Sequence, residues 1–355
     1  MMFLPVSVLF FSLVALELSA TIRKSADEGL FAFLSPRIQS SQRQVLSERL
    51  SRLFETKDVE NLQTLLIEAG LMKGAGRNLD DLENLEMSIT EAFWSHYNRI
   101  LYYLSDDLKE FFDACKILWD VENLKLLLCC VRNKKYLETN FRIRGSFGYL
   151  DSTSIQSLAQ SNTAKEMWEN AVTLLPTEFS SEVSFEEGWP INDLEFSLDI
   201  AAFDYLRGKS EEIGTQKVFL SWDSMAGIYE IENLVTIARL KYFRTLPKDI
   251  NRFLYPVQRQ LSNFDIRLLV ETEDYAAFLL ALMNTPYGKC FSNGETNPME
   301  LEASLKKEVQ RLGFENRTRD VVIEAIVNFF AELEAQYSMI RKAAFFASIR
   351  GCDEV

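Results

Sequence analysis

The chain has 355 residues, a formal net charge of −14 at pH 7, five cysteines and one histidine. An acidic chain with no basic stripe interleaved with aromatics excludes ordinary nucleic-acid binding, and a single histidine leaves zinc sites and His-dependent nucleophiles almost nothing to build from. The length allows two or three domains around a sizeable core, and an odd set of cysteines without CxxC spacing suits a reducing compartment better than a disulfide framework.

The chain opens on Met1 to Leu16, strongly apolar and uncharged, with Glu17 cutting it short of a membrane span. Three readings of residues 1–28 stand side by side: a signal peptide lacking the usual positive start, an upstream extension or miscalled start, and a membrane-surface helix. Asp58 to Leu71 carries a marker that opens the first unit, and Gly70 to Asn78 reads as a loop whose glycines lack P-loop spacing. Leu85 to Ile89 and Asp120 to Leu124 mark two further helices, and a boundary is expected near Gly145 to Asp151. Leu174 to Pro190 reads as a loop between helices, and Asp223 as the start of a turn before the next helix.

That helix, Tyr229 to Phe243, carries Ile231, Leu234, Val235, Ala238 and Tyr242 at helical spacing. The pattern predicts a buried stripe, with Glu230, Glu232, Arg239 and Lys241 facing elsewhere. Asn233 sits beside the stripe in mid-helix, where its amide competes with the backbone unless a neighbouring element satisfies it. A helix beginning at Pro247 is expected to end at Tyr255-Pro256. Ser292 to Pro298 reads as a loop before a last pair of helices, and Asn316-Arg317-Thr318 matches a glycosylation acceptor that is idle in a cytoplasmic protein. Pro and Gly are scarce and strand-like alternation is rare, so the fold class is all-α.

Several of these markers repeat. Glu122-Asn123-Leu124 within DVENL returns as Glu232-Asn233-Leu234 within EIENL, at an offset of 110, and a worn third copy keeps Glu334 in ELEAQYSMIR. Leu-Glu-x-x-Leu/Ile occurs around Glu86, Glu195 and Glu302, at offsets of 109 and 107, always at a similar distance ahead of the ENL-type helix. Asp58 to Leu71 is similar to Asp274 to Tyr287, with Ala164 to Leu175 a weaker middle version. Three markers in one order at a near-constant period predict three helical units, 29–145, 146–256 and 257–355.

The D/E-x-E-N-L pattern, the short helix ending Thr285-Pro286-Tyr287, the L-E-x-x-L helix and the opening segment Phe31 to Phe54 together resemble the C subunit of the archaeal and bacterial V-type (A-type) ATPases, the relative of the eukaryotic d subunit. The likeness runs from about Gly29 to Gly351; the third copy lacks the expected Asn-Leu-Arg, and the apolar leader precedes the family's usual start. The resemblance implies three units forming a funnel-shaped socket on the cytoplasmic face of the membrane. It further implies two partners, the proteolipid ring and the central shaft made of the D and F subunits, and transmission of torque for ion transport or ATP synthesis. It implies no cofactor, no metal and no catalytic residue; the residues it singles out, Glu86, Glu122, Asn123, Leu124, Glu195, Glu232, Asn233, Leu234 and Glu302, are structural.

The residues themselves agree with a non-enzyme. His96 reads as an ordinary helix position. The acidic pairs Asp80-Asp81, Asp106-Asp107, Glu186-Glu187 and Glu211-Glu212 read as helix starts or solvated faces, because neighbours on a helix point in different directions. The alternative to the rotary role is an exported helical-repeat scaffold that binds another protein, which follows if the leader is a cleaved signal.

Overall fold

The structure, a computed structural model, describes residues 59–68, 82–132, 148–290 apart from 184 and 187, 297–305 apart from 303, and the single positions 326, 327, 330 and 340. The leader, the loop at 70–78, Asp80-Asp81, Glu187, Asn316 and Glu334 lie outside them. Every regular element among the described residues is helical. The chain divides into two compact units, with the divisions after Leu104 and after Asn328.

In the first unit, α1 (Val59–Glu68) packs on α2 (Leu82–Leu101). Leu62 and Leu66 of α1 are buried, as are Leu85 and Ile89 of α2, the two apolar positions of the first L-E-x-x-L marker. Phe93, Trp94 and Tyr97 follow at helical spacing and are buried, Trp94 lying edge-on to Tyr97 at 4.9 Å and Tyr97 meeting Phe330 at 4.4 Å. Such ring pairs add to the area they bury. His96 is half-buried on α2; burial first, and then the Arg99 charge, hold its pKa below the ordinary value.

The second unit starts with α3 (Asp106–Ala114) and α4 (Ile117–Arg132), separated by a tight turn at Cys115 and Lys116. There follow α5 (Ser152–Ala159), α6 (Ala164–Val172), α7 (Thr177–Glu182) and the long α8 (Ile191–Ile213). Gly214, at φ 64°, ends α8 in the left-handed conformation that glycine tolerates best. Next come α9 (Gln216–Tyr242), α10 (Pro247–Ile250) with a 3₁₀ turn at Asn251–Phe253, α11 (Asn263–Glu271), α12 (Tyr275–Met283) and a second 3₁₀ turn at Pro286–Cys290.

Five of the described helices, α5, α6, α9, α11 and α12, start where the sequence supplies a side-chain acceptor for a free amide. Asp151 accepts from Ser154 N at 2.7 Å, Thr163 from Glu166 N at 3.1 Å, and Asp274 from Ala277 N at 2.8 Å. Ser262 and Asp265 close a reciprocal capping box at the head of α11.

The elements keep the period of the sequence. The α3–α4 pair spans 106–132 and α9 spans 216–242, a uniform shift of 110 that turns one continuous helix into two. The start of α2 returns at α8 with a shift of 109, and the starts of α5 and α6 return at α11 and α12 with a shift of 111. One core gathers Ile231, Leu234, Val235 and Ala238 of α9 with Leu269, Phe278, Leu282, Leu301 and Leu305. Another sets Phe203 of α8 against Ala226 and Val257, with Trp222, Tyr229 and Tyr255 around it.

Four sequence expectations need correction. The ENL helix begins at Gln216 rather than Tyr229, under a Thr215 cap, so Asp223 lies inside a helix and begins no turn. Glu230 and Lys241 are buried rather than outward, because each meets the backbone of a later segment, whereas Tyr242, expected in the buried stripe, is 51% exposed. The helix from Pro247 ends at Ile250 and its 3₁₀ turn at Phe253, short of Tyr255. The stretch from Leu174 to Pro190 is not all loop, since Pro176 initiates α7 and buries Phe179.

Candidate functional site

In the two ENL motifs among the described residues, at 120–124 and 230–234, the first residue is a buried acid. Asp120 on α4 has no solvent exposure, and its carboxylate accepts from Tyr149 N at 2.7 Å and Leu150 N at 3.2 Å. The backbone at Gly148 passes so close that an added Cβ would lie 2.1 Å from the carboxylate oxygens; glycine is what permits the approach. Glu230 on α9 is equally buried and accepts from Arg259 N at 2.8 Å, Gln260 N at 3.0 Å and Leu261 N at 3.0 Å, and also from the Tyr287 hydroxyl.

The two acids stand one period apart in the chain, and each takes the amides 29 and 30 residues beyond itself. A buried leucine and then a helix cap close the stretch in both places, one residue later in the second: Leu150 and Asp151 in one, Leu261 and Ser262 in the other. Each acid thus fastens the incoming stretch of backbone just before it turns into the next helix pair, satisfying amides that would otherwise be buried without partners. The Arg259 side chain adds a second tie, crossing Gly227 of α9 to reach Asp223 at 3.3 Å.

Charge separates the Asp120 site from ordinary surface acids. Burial pushes the Asp120 carboxyl up to about 7, against the opposing pull of the Tyr149 and Leu150 amides. Burial likewise raises the Cys115 thiol, with the Asp113 charge adding to it, so this cysteine is an inert core residue.

Asn233 is 1% exposed and meets Tyr255 with both ends of its amide: Nδ2 donates to the Tyr255 carbonyl at 2.9 Å and Oδ1 accepts from the Tyr255 amide at 2.8 Å. Asn123 is equally buried, and the position that corresponds to Tyr255 in its own unit lies outside the described residues. Leu124 and Leu234 have no exposure. Glu122 accepts from Lys125, one turn on, and Lys125 reaches across to Asp199 of α8 at 2.5 Å. Glu232 is half-buried on the same helix as Asn233.

The structure also brings two of the sequence markers together. Glu195 of α8 accepts from the Cys129 thiol of α4 at 3.6 Å, and Glu302 pairs with the Arg239 guanidinium of α9. Cys129 and Arg239 are themselves one period apart, so the L-E-x-x-L glutamate reaches the same station of the ENL helix in both cases. The apolar positions of that marker, Leu194 and Leu198, then Leu301 and Leu305, are buried like Leu85 and Ile89. Glu86 lies on α2, and its side chain is outside the described residues.

These groups fasten helices; they do not converge on a reacting atom. Among the described residues no group of three or more His, Cys, Asp or Glu is placed to hold a metal ion, and no helix is long and apolar enough to cross a membrane. Asp106 and Asp107 stand in the first turn of α3, where acids favour the helix dipole, and Glu211 and Glu212 in the last turn of α8.

Sequence reading treats the leading acid of the motif as a spacing marker and misses its burial. The available signal was the pairing of each acid with a leucine and a capping residue about 30 residues downstream, at 30 and 31 after Asp120 and at 31 and 32 after Glu230.

With every described element helical and the buried acids and motif contacts recurring one period apart, the protein is of the all-helical class. It belongs to the ATP synthase (C/AC39) subunit family, whose model matches residues 34–342. It is similar to the C subunit of the A-type ATP synthase of Methanothermobacter thermautotrophicus, with 24% identity over 289 residues that cover 78% of this chain and 72% of that protein.

Proposed function

We propose that the chain is a non-catalytic central-axis subunit of a V/A-type rotary ATPase. Three helical units, 29–145, 146–256 and 257–355, close into a funnel that sits on the proteolipid ring at the cytoplasmic face and receives the shaft made of the D and F subunits. Its contribution is stiffness, since close-packed helices transmit strain.

The observation that carries this reading is the recurrence of one fastening at one period, the Asp120 and Glu230 carboxylates each holding the amides 29 and 30 residues further on. Two further contacts tie the first of these units to the second. Positions about one period apart meet: Cys115 Sγ lies 3.9 Å from Met225 Sδ, and the Thr215 hydroxyl donates to Asp107 at 2.7 Å.

Affinity purification of the tagged chain from native membranes in mild detergent tests the reading. Proteolipid and shaft subunits should accompany it in fixed proportion; recovery of the chain without either overturns the proposal.

A further inference from the structure

The helix pair α11–α12 and its counterpart α5–α6 agree on the inside and disagree on the outside. Leu158 and Leu269, Met167 and Phe278, and Ala171 and Leu282 are corresponding pairs at a shift of 111, and all six are buried. Facing away from the core, α5 and α6 expose Thr153, Ser157 and Glu169. At the same stations α11 and α12 expose Phe264, Leu268 and Leu280, at 72%, 49% and 65%. The helix α1, which matches α12 at a shift of 216, exposes Thr64 where α12 has Leu280.

The apolar face therefore belongs to one of the corresponding helices and not to the others. The α12 sequence, YAAFLLALM, contains no charged residue, and Met283 at 40% exposure extends its stripe. Tyr242 and Phe243, exposed at the end of α9, stand beside it, Tyr242 meeting Tyr275 edge-on at 5.6 Å. Exposed apolar side chains gathered on two helices that pack together, with the helix end beside them, mark contact with another molecule.

Charge and area decide what that molecule is. A second copy would bring a further charge of −14 against this chain, so self-association is opposed, and a partner with positive charge beside its apolar contact is favoured. The face amounts to roughly a few hundred Å², short of the ~800 Å² per partner that a stable dimer needs, so it serves as the apolar centre of a wider contact. We propose that the outer face of α11 and α12 docks one amphipathic helix, aliphatic along its stripe and basic at its flanks, from a partner present once per copy of this chain. A many-membered ring would meet the corresponding units alike; a single shaft would not. On the rotary reading, on which this choice of subunit rests, the distinct face seats the shaft in one of three otherwise similar orientations.

A photo-crosslinking residue placed at Leu280, and at Glu169 as control, in the full chain within the complex isolated from native membranes tests this directly. Sequencing of the crosslinked peptide should give a basic-flanked amphipathic helix from one single-copy partner at 280, and no crosslink to that helix at 169. Crosslinks from 280 to the proteolipid, to a second copy or to nothing overturn the proposal. The double variant Leu268→Ser with Leu280→Glu, which restores the residues of α5 and α6, should reduce retention of that partner at least tenfold while leaving the unfolding midpoint unchanged; undiminished retention is equally fatal. Should the wild-type chain purify without rotor subunits, the rotary reading fails. The docking inference is then still decided by the peptide crosslinked at 280 in whatever complex holds the chain.

Discussion

Asp120 and Glu230 stand at the same station of corresponding helices and hold the same stretch of later backbone, yet one is better served than the other. Glu230 gathers three amides and a tyrosine hydroxyl, while Asp120, one methylene shorter, gathers two amides. The shorter side chain draws the backbone in until only glycine fits at position 148. A fastening can thus keep its position in the chain while its strength drifts, because position is set by the helix and strength by the number of donors that reach the acid.

Four substitutions would break or sharpen that contrast. Glu230→Ala strands the buried Leu261 amide and Tyr287 hydroxyl and the partly buried Arg259 and Gln260 amides, and with about 1–3 kcal/mol expected per orphaned buried group it should cost about 5 kcal/mol in chemical denaturation. A loss under about 1 kcal/mol would show that the fastening is dispensable.

Asp120→Asn tests the weaker partner through pH. The folded carboxyl titrates at about 7 and the free one near 3.8, so the folded state holds its proton more tightly. Its contribution is complete below about 4 and declines as pH rises towards 7, by up to about 4 kcal/mol. The variant, which cannot titrate, should therefore gain on the wild type as pH is raised from about 4 to about 8. A stability difference that does not vary with pH would contradict the origin assigned to the shift.

Asn233→Ala removes both bonds to Tyr255 and leaves its amide and carbonyl buried, with an expected loss of about 2–3 kcal/mol. Thermal unfolding checks it, since a loss under about 1 kcal/mol would mean that the Tyr255 backbone groups find other partners. Ser262→Ala is the mildest, about 1 kcal/mol for a helix cap, and an unchanged unfolding midpoint would mean that Asp265 alone suffices.

Much of the fold was legible because helix periodicity and the repeat are written locally. The apolar positions of the L-E-x-x-L markers, and Asn233 with its need for a partner, could be read from a few residues. The burial of Glu230 and Lys241 could not. A charged residue on a helix reads as solvated unless one knows that the amides near Arg259 or the carbonyl of Thr272 arrive there, and those contacts join positions 29 and 31 residues apart. Tyr242 failed for the converse reason: it has the right period for the stripe, but the core ends a turn before it. The apolar outer face of α12 was visible as composition, yet its meaning required knowing which side of the helix the core had claimed.

The break at Cys115 and Lys116 has a mechanical consequence. The helix α9 runs 27 residues, about 40 Å, without interruption, whereas its counterpart is cut into α3 and α4 by a turn where amides bond three residues back rather than four. An unbroken rod resists bending along its whole length, and a rod with a joint bends at the joint first. Load shared between the two would concentrate deflection at Cys115, so spin labels flanking that position should report larger angular excursions than labels flanking Met225.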